Sequence, residues 1–161
     1  MDIRTLTPEL SVAPQISPDD VAQLAAAGFR SIVCNRPDNE EEGQIAFADI
    51  ARVANAHGLQ AAHLPVISGQ VQDDQAMQMA GALAELPTPV LAFCRTGTRS
   101  TMLWALSQAG RQPTEHILTT AKTANYDLEA MRNRLDCLAD TPLSAACNLD
   151  TLIVCPGVQS R

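Results

Sequence analysis

One ten-residue stretch, Leu91-Ala92-Phe93-Cys94-Arg95-Thr96-Gly97-Thr98-Arg99-Ser100, limits what this chain can fold into more than any other. The apolar run from Pro89 to Phe93 is short and bounded, as a buried strand is, and a cysteine follows it. A tight turn with one glycine comes next, and a helix is expected to open at Arg99. Met102, Leu103, Trp104, Ala105 and Leu106 make that helix mostly apolar, so it has to pack against a sheet. A strand turning into a helix aims backbone N–H groups at one spot, and the helix N-terminus adds partial positive charge there. Both features favour thiolate over thiol in a cysteine at that spot. Arg99 adds a fixed cation with a planar fork of donors, and Gly97 permits a left-handed backbone where the turn is tightest. The expected product is a nucleophilic sulfur, Cys94, in an anion cradle of Arg95, Thr96, Gly97, Thr98 and Arg99.

The rest of the chain has to supply the sheet. Ile3–Leu6 and Leu10–Ala13 flank the turn signal Thr7-Pro8-Glu9 and predict an opening hairpin. Ser17-Pro18-Asp19-Asp20 reads as a helix start that runs through Val21 and Leu24 to a stop at Gly28. Arg30–Cys34 is the next predicted strand, followed by the polar loop Asn35 to Gly43 and a helix over Gln44–His57. Ala61–Val66 predicts a strand whose last residues leave the sheet at Pro65. Asp73 and Asp74 open a helix expected to bury Met77, Ala80, Leu83 and Ala84. Helices are also expected from Pro113 and over Tyr126–Leu138, the latter burying Leu128, Met131, Leu135 and Leu138. Strands alternating with helices imply an α/β fold, a mostly parallel sheet with helices on both faces, and active sites of such sheets lie beyond the strands' carboxyl ends. That rule gathers the loops after Cys34, Val66 and Cys94 on one rim and makes Arg36, Asp38, Ser68, Asp73 and Asp74 candidate neighbours of Cys94.

With 161 residues, one domain is expected over 1–139, followed by a weakly patterned segment over 140–161. Cys155 and Arg161 have similar spacing, but no helix can follow the last residue, so that tail is expected to carry no chemistry. A net charge of −7 argues against nucleic acid or an anionic membrane as partner, and no apolar run of membrane-spanning length exists. Met1-Asp2-Ile3-Arg4 leads into no apolar core, so no signal peptide is expected. Five scattered cysteines without CxxC pairs fit free thiols in a reducing cytoplasm better than disulfides or zinc. No metal or organic cofactor is implied, since the three histidines share no ligand spacing.

Several residues carry a bland reading beside a chemical one. His63 fits a satisfied structural histidine, whereas His57 and His116 fit solvent-facing helix ends. Asp73 and Asp74 are general-acid candidates, although helix capping explains them equally well. Arg36 is a cation on the expected rim, which either adds to the anion site or is a plain surface residue. Glu40-Glu41-Glu42 reads as a solvated loop. Cys34 is either a resolving thiol or a buried packing cysteine, the second being the commoner case.

Cys94-Arg95-Thr96-Gly97-Thr98-Arg99 resembles the Cys-Arg-x-Gly-x-Arg loop of rhodanese-type sulfurtransferases and is one residue short of the Cys-x5-Arg loop of dual-specificity phosphatases. Over about residues 1–112 the chain resembles the bacterial beta-lactamase hydrolase-like family, in its phosphatase-like domain. The resemblance rests on Leu10-Ser11-Val12-Ala13-Pro14-Gln15, Asn35-Arg36-Pro37-Asp38, His63-Leu64-Pro65-Val66 and Cys94 through Leu106. It implies a dual-specificity-phosphatase-like fold, and a metallo-β-lactamase-like hydrolase as a partner by family analogy. No such domain is in this sequence, so a stand-alone version is expected. Two departures stand out. Ile67-Ser68-Gly69 occupies the place where phosphatases of this fold put an aspartic acid, and Phe93 replaces a histidine before the cysteine.

The loop length decides the expected activity. Cys94 is expected to take sulfane sulfur from a persulfide or thiosulfate donor and pass it to a thiol acceptor. Arg99 orients the anionic donor, Ser100 hydrogen-bonds the sulfur and Arg95 steers anions. The alternative is a cysteine phosphatase acting on phosphoesters with Asp73 or Asp74 as acid. A further alternative is a non-catalytic module that binds anions or senses persulfide.

Overall fold

The computed structural model describes residues 1–140. Its sheet has five strands: β1 (Arg4–Thr7), β2 (Leu10–Ala13), β3 (Ser31–Cys34), β4 (Gln60–His63) and β5 (Val90–Phe93), in the order β1-β2-β5-β3-β4. β1 is antiparallel to β2, the opening hairpin, and every other pairing is parallel. The expected α/β class with a mostly parallel sheet is therefore what forms. All four residues of β2, β3 and β5 are buried, as strands covered on both faces must be.

The pleat sends alternate residues to two cores. Ile32, Cys34, Leu91 and Phe93 meet Val21 and Leu24 of α1 (Pro18–Ala26) and Ile50 and Ala54 of α2 (Phe47–Ala56). Val12, Val33, Val90 and Ala92 meet α3 (Asp73–Glu85), α4 (Thr98–Gln108), α5 (Thr114–Thr123) and α6 (Arg132–Asp140) on the other face. α4 is the central helix of that second layer, with eight of its eleven residues buried.

Local chemistry explains most boundaries. The Asp20 carboxylate accepts the Ser17 backbone N–H at 2.8 Å, and Pro18 is the first residue of α1, where its missing N–H costs nothing. β4 stops at His63, before Pro65, while the Leu64 and Val66 amides still donate to Cys34 and Asn35. Three expectations are corrected. α2 begins at Phe47, not Gln44, because the Gln44 side chain is tied into the preceding loop, donating to the Pro37 carbonyl at 2.8 Å and accepting the Glu40 amide at 3.1 Å. α3 buries Ala76 and Met79, one register step from the expected Met77 and Ala80. Tyr126 to Leu138 is not one helix: a 3-10 turn (Glu129–Met131) precedes α6, which leaves Tyr126 in the connection. Leu128, Met131, Leu135 and Leu138 are nevertheless buried as expected.

Among the described residues, Cys34 and Cys94 are free thiols. Cys147 and Cys155, with the proposed inert tail, lie outside the described residues. No helix among the described residues is long and apolar enough to cross a membrane.

Candidate active site

The order β2-β5-β3 makes β5 the centre of the sheet, with β2 and β3 leading away on opposite sides. This is a topological switch point, and its crevice opens beyond the carboxyl ends of the three strands. The loops after β2, β3 and β5 meet there. The Gln15 amide donates to the Arg95 carbonyl at 3.2 Å, and the Asn35 amide donates to the Phe93 carbonyl at 2.8 Å.

Cys94 sits at the floor of the crevice and is fully buried. Its Sγ accepts the Gly97 backbone N–H at 3.1 Å. Gly97 is the N-cap of α4 with φ of +89°, a left-handed geometry that explains the glycine. A Cβ there would also land on the Tyr126 hydroxyl and lie 2.8 Å from Tyr126 Cζ. Thr96 and Thr98 line the exposed side of the loop, their hydroxyls 3.0 Å apart.

Arg99 lies in the first turn of α4 rather than in the loop, and its side chain is 7% exposed. Nη1 donates to Glu40 Oε2 at 2.6 Å and to the Val66 carbonyl at 2.9 Å, and Nη2 donates to Glu40 Oε1 at 2.8 Å. Glu40 thus grips the guanidinium end-on. A guanidinium has five N–H donors, so the edge formed by Nε and the second Nη2 hydrogen stays out of that grip. The Glu40 hydrogen bond raises the Arg99 pKa, and the charge of Cys94 adds to the rise, so the guanidinium and sulfur are electrostatically coupled. The reciprocal effect lowers the Glu40 pKa, with its hydrogen bond to Arg99 the largest cause. Glu40 is therefore a carboxylate that only accepts, and it has no proton to give at neutral pH.

Arg36 is buried, unlike the rim cation expected from sequence. It donates to Glu40 at 3.1 Å, Gln15 at 3.1 Å and Glu41 at 2.9 Å, so it braces the acidic loop. Arg95 is 62% exposed at the mouth, 3.8 Å from Glu41. The Ser100 hydroxyl donates to Asn35 Oδ1 at 2.8 Å, and Asn35 in turn donates to the Leu64 carbonyl at 3.1 Å. Its one proton is therefore committed to Asn35, which corrects the expected bond to the sulfur.

Asp73 pairs with Arg134 of α6 at 2.5 Å, whereas Asp74 is exposed in the first turn of α3. Asp38 accepts the Phe47 amide at 2.8 Å and starts α2. His63 contacts the Arg36 carbonyl at 2.9 Å and stacks on Phe47 with ring centroids 4.6 Å apart, a structural role. Burial pushes the Cys34 thiol up to about 12, and its hydrogen bond to the Arg36 carbonyl only partly opposes that. Sequence reasoning missed Glu40, Gln15, Asn35 and Tyr126. Glu40 lay in a run read as solvated, and Gln15 and Asn35 lay in stretches singled out only for their resemblance.

Residues 2–111 match the family model of the beta-lactamase hydrolase-like protein, phosphatase-like domain. A beta-lactamase hydrolase-like protein of Agrobacterium fabrum is 33% identical over 129 residues, 79% of this chain and 30% of that protein. The chain thus spans under a third of the length of such relatives. A solved structure from Neisseria meningitidis, described as a candidate phosphatase, is 37% identical with a TM-score of 0.77, covering 84% of this chain and 97% of that one. The core catalytic domain of a PP-IP phosphatase from S. cerevisiae shares the fold at 9% identity, TM-score 0.66, with 91% of each chain covered. These findings support the phosphatase-like fold and overturn the sulfurtransferase expectation, since the matching family is a phosphatase-like domain and the Neisseria meningitidis structure is described as a candidate phosphatase. The physical reason is that loop length was the wrong discriminator. Arg99 belongs to a helix and is aimed by Glu40 and Val66, so the count from Cys94 does not set where its donors point. The chain belongs to the beta-lactamase hydrolase-like protein, phosphatase-like domain family.

Proposed function

We propose that the protein is a cysteine-dependent phosphomonoester hydrolase. The observation that carries this reading is one buried sulfur that accepts the Gly97 amide at 3.1 Å and is coupled to an arginine held end-on by a carboxylate clamp. Cys94 as thiolate attacks phosphorus, forming an S–P bond as the P–O bond to the leaving group breaks. Water then cleaves the S–P bond and releases inorganic phosphate. The cradle amides and the free edge of Arg99 hold the equatorial oxygens, so catalysis is mostly positioning and charge stabilisation. Thr96, Thr98 and Arg95 line the entry. Of the two acids singled out in the sequence, Asp73 is engaged with Arg134, and Asp74 is the candidate to protonate the leaving oxygen.

The test is hydrolysis of p-nitrophenyl phosphate together with acid-quench mass spectrometry of Cys94. The expected results are turnover, a phosphoryl adduct on Cys94, and loss of at least about a thousandfold in kcat for Cys94→Ser with the fold intact. Phosphate binding without turnover or adduct would instead favour a non-catalytic anion-binding module. Native rates in Cys94→Ser would reject the nucleophile.

A further inference from the structure

Tyr126 lies beyond residues 2–111, which carry the family match, yet it reaches the cysteine loop. Asn125, at φ +69°, turns the chain after α5, and the Tyr126 amide donates to the Ala121 carbonyl at 2.9 Å. Leu128 and Met131, buried in the α4 core just downstream, anchor the connection. From there the half-buried ring stands over Gly97, and its hydroxyl donates to the Thr96 carbonyl at 3.0 Å.

The partner atom gives this contact its meaning. The Thr96 carbonyl and the Gly97 N–H belong to one planar peptide unit and point in opposite directions. One end of that plane is gripped by Tyr126, and the other donates to Cys94 Sγ at 3.1 Å. Rotation of this peptide would swing the amide off the sulfur and place a carbonyl oxygen beside it. We propose that Tyr126 is a positioning residue that locks the Thr96–Gly97 peptide plane and so aims the Gly97 amide into the anion cradle. A bond accepted at the carbonyl also polarises the N–H at the other end of the unit. Gly97 and Tyr126 form a matched pair, because any side chain at 97 would occupy the hydroxyl's place. Burial first and the charge of Cys94 second raise the Tyr126 pKa, so the hydroxyl keeps the proton it donates at neutral pH.

The role rests on the phosphatase reading for its kinetic consequence but not for its geometry, and two readouts separate them. Tyr126→Phe keeps the ring and removes the donor. On p-nitrophenyl phosphate its kcat should fall about tenfold, the upper end for one neutral hydrogen bond, with KM changed less than about threefold and thermal stability nearly native. Independently of turnover, the Gly97 amide proton resonance should move upfield in Tyr126→Phe, as it should in Cys94→Ser. A native protein that hydrolyses nothing while that resonance still responds would end the phosphatase reading and keep the strap. Native kcat and an unmoved Gly97 amide in Tyr126→Phe would overturn the strap and leave the phosphatase reading intact. Tyr126 is the sole tyrosine of the chain, so 3-fluorotyrosine labels it alone and serves if Tyr126→Phe does not fold. Its fluorine resonance should differ between the native protein and Cys94→Ser, because the strapped peptide donates to that sulfur, and an identical resonance in both would also overturn the strap.

Discussion

Replacing Glu40 by glutamine separates two opposite roles that its position allows. Its carboxylate makes three charge-assisted contacts, two to Arg99 at 2.6 and 2.8 Å and one to Arg36 at 3.1 Å, and its side chain is 24% exposed. Glutamine has nearly the same shape but turns one acceptor into an NH2 that faces a guanidinium donor. At least one Arg99 bond is therefore lost and the end-on grip with it. A hydrogen bond to a charged group contributes about 1.5–3 kcal/mol, and if the grip serves only to aim Arg99 at the transition state, kcat falls by roughly 10- to 150-fold. A second effect runs the other way. For two unit charges about 6 Å apart, at an effective dielectric between 20 and 80, the repulsion is about 0.7–3 kcal/mol before screening, so removing the Glu40 charge from beside the anion site favours the anion by up to that amount. The expected signature is therefore split: kcat drops by one to two orders of magnitude while the calorimetric Kd for inorganic phosphate stays level or tightens. Were Glu40 merely a carboxylate plugging the arginine, kcat/KM would rise instead, and that result would refute the clamp. The linkage sign can be checked on the same pair. The folded pKa of Glu40 is depressed below the ordinary 4.5, so its contribution to stability is present above that value and is lost as pH falls through the depressed one. The stability gap between native protein and Glu40→Gln should be constant from pH 7 to about 5 and should close in stronger acid.

Three further perturbations follow from the same geometry. Cys34, raised to about 12 from 9.0, is a thiol at neutral pH, so its stabilising effect holds below pH 9 and drains away as pH rises toward 12. Denaturant titrations should show native protein losing up to about 4 kcal/mol more than Cys34→Ser over that range, with kcat at pH 7 changed little in the variant, and equal alkaline slopes would contradict the burial argument. Asp74→Asn should slow phenyl phosphate, whose phenolate is a poor leaving group, about tenfold or more while p-nitrophenyl phosphate changes little, whereas Asp73→Asn should cost at most about 1 kcal/mol of stability through its half-buried pair with Arg134. Equal losses on both substrates for Asp74→Asn would remove it as the acid.

What was legible in the sequence was local. The strand into Cys94, the left-handed glycine and the helix behind it are decided within ten residues, and the structure forms all three. The Ser17–Asp20 cap and the stop of β4 before Pro65 are equally short-range. The miss in α3 is a matter of choice among stripes: Ala76, Met77, Met79, Ala80, Ala82, Leu83 and Ala84 leave several faces apolar, and contact with α4 selects one. The site's missed members share a different cause. Glu40 meets Arg99 across 59 positions and Tyr126 meets Thr96 across 30, so neither contact has a periodicity or a spacing that a single sequence displays. An acidic run and a lone tyrosine acquire meaning only once the switch point has gathered their loops.

On the proposed hydrolase reading, the charges at the crevice account for how such an acidic chain would hold an anion. Arg36 is spent on Gln15, Glu40 and Glu41, and Arg99 is spent at one end on Glu40, so two of the three nearby guanidiniums are already compensated. Arg95 is exposed and only loosely set against Glu41 at 3.8 Å, where solvent screens it. With a net charge of −7 over the whole chain, long-range attraction does not draw a phosphoester in. What remains is direction. In the proposed reaction, fixed dipoles, the Gly97 amide and its loop neighbours, would act on the buried sulfur and on the transferring group, where a small dipole weighs more than it does in water. A site built on aimed donors tolerates a carboxylate beside its arginine, because that carboxylate supplies the aim. The same reasoning makes the orientation of one peptide plane, at Thr96–Gly97, count for more than the addition of another surface cation.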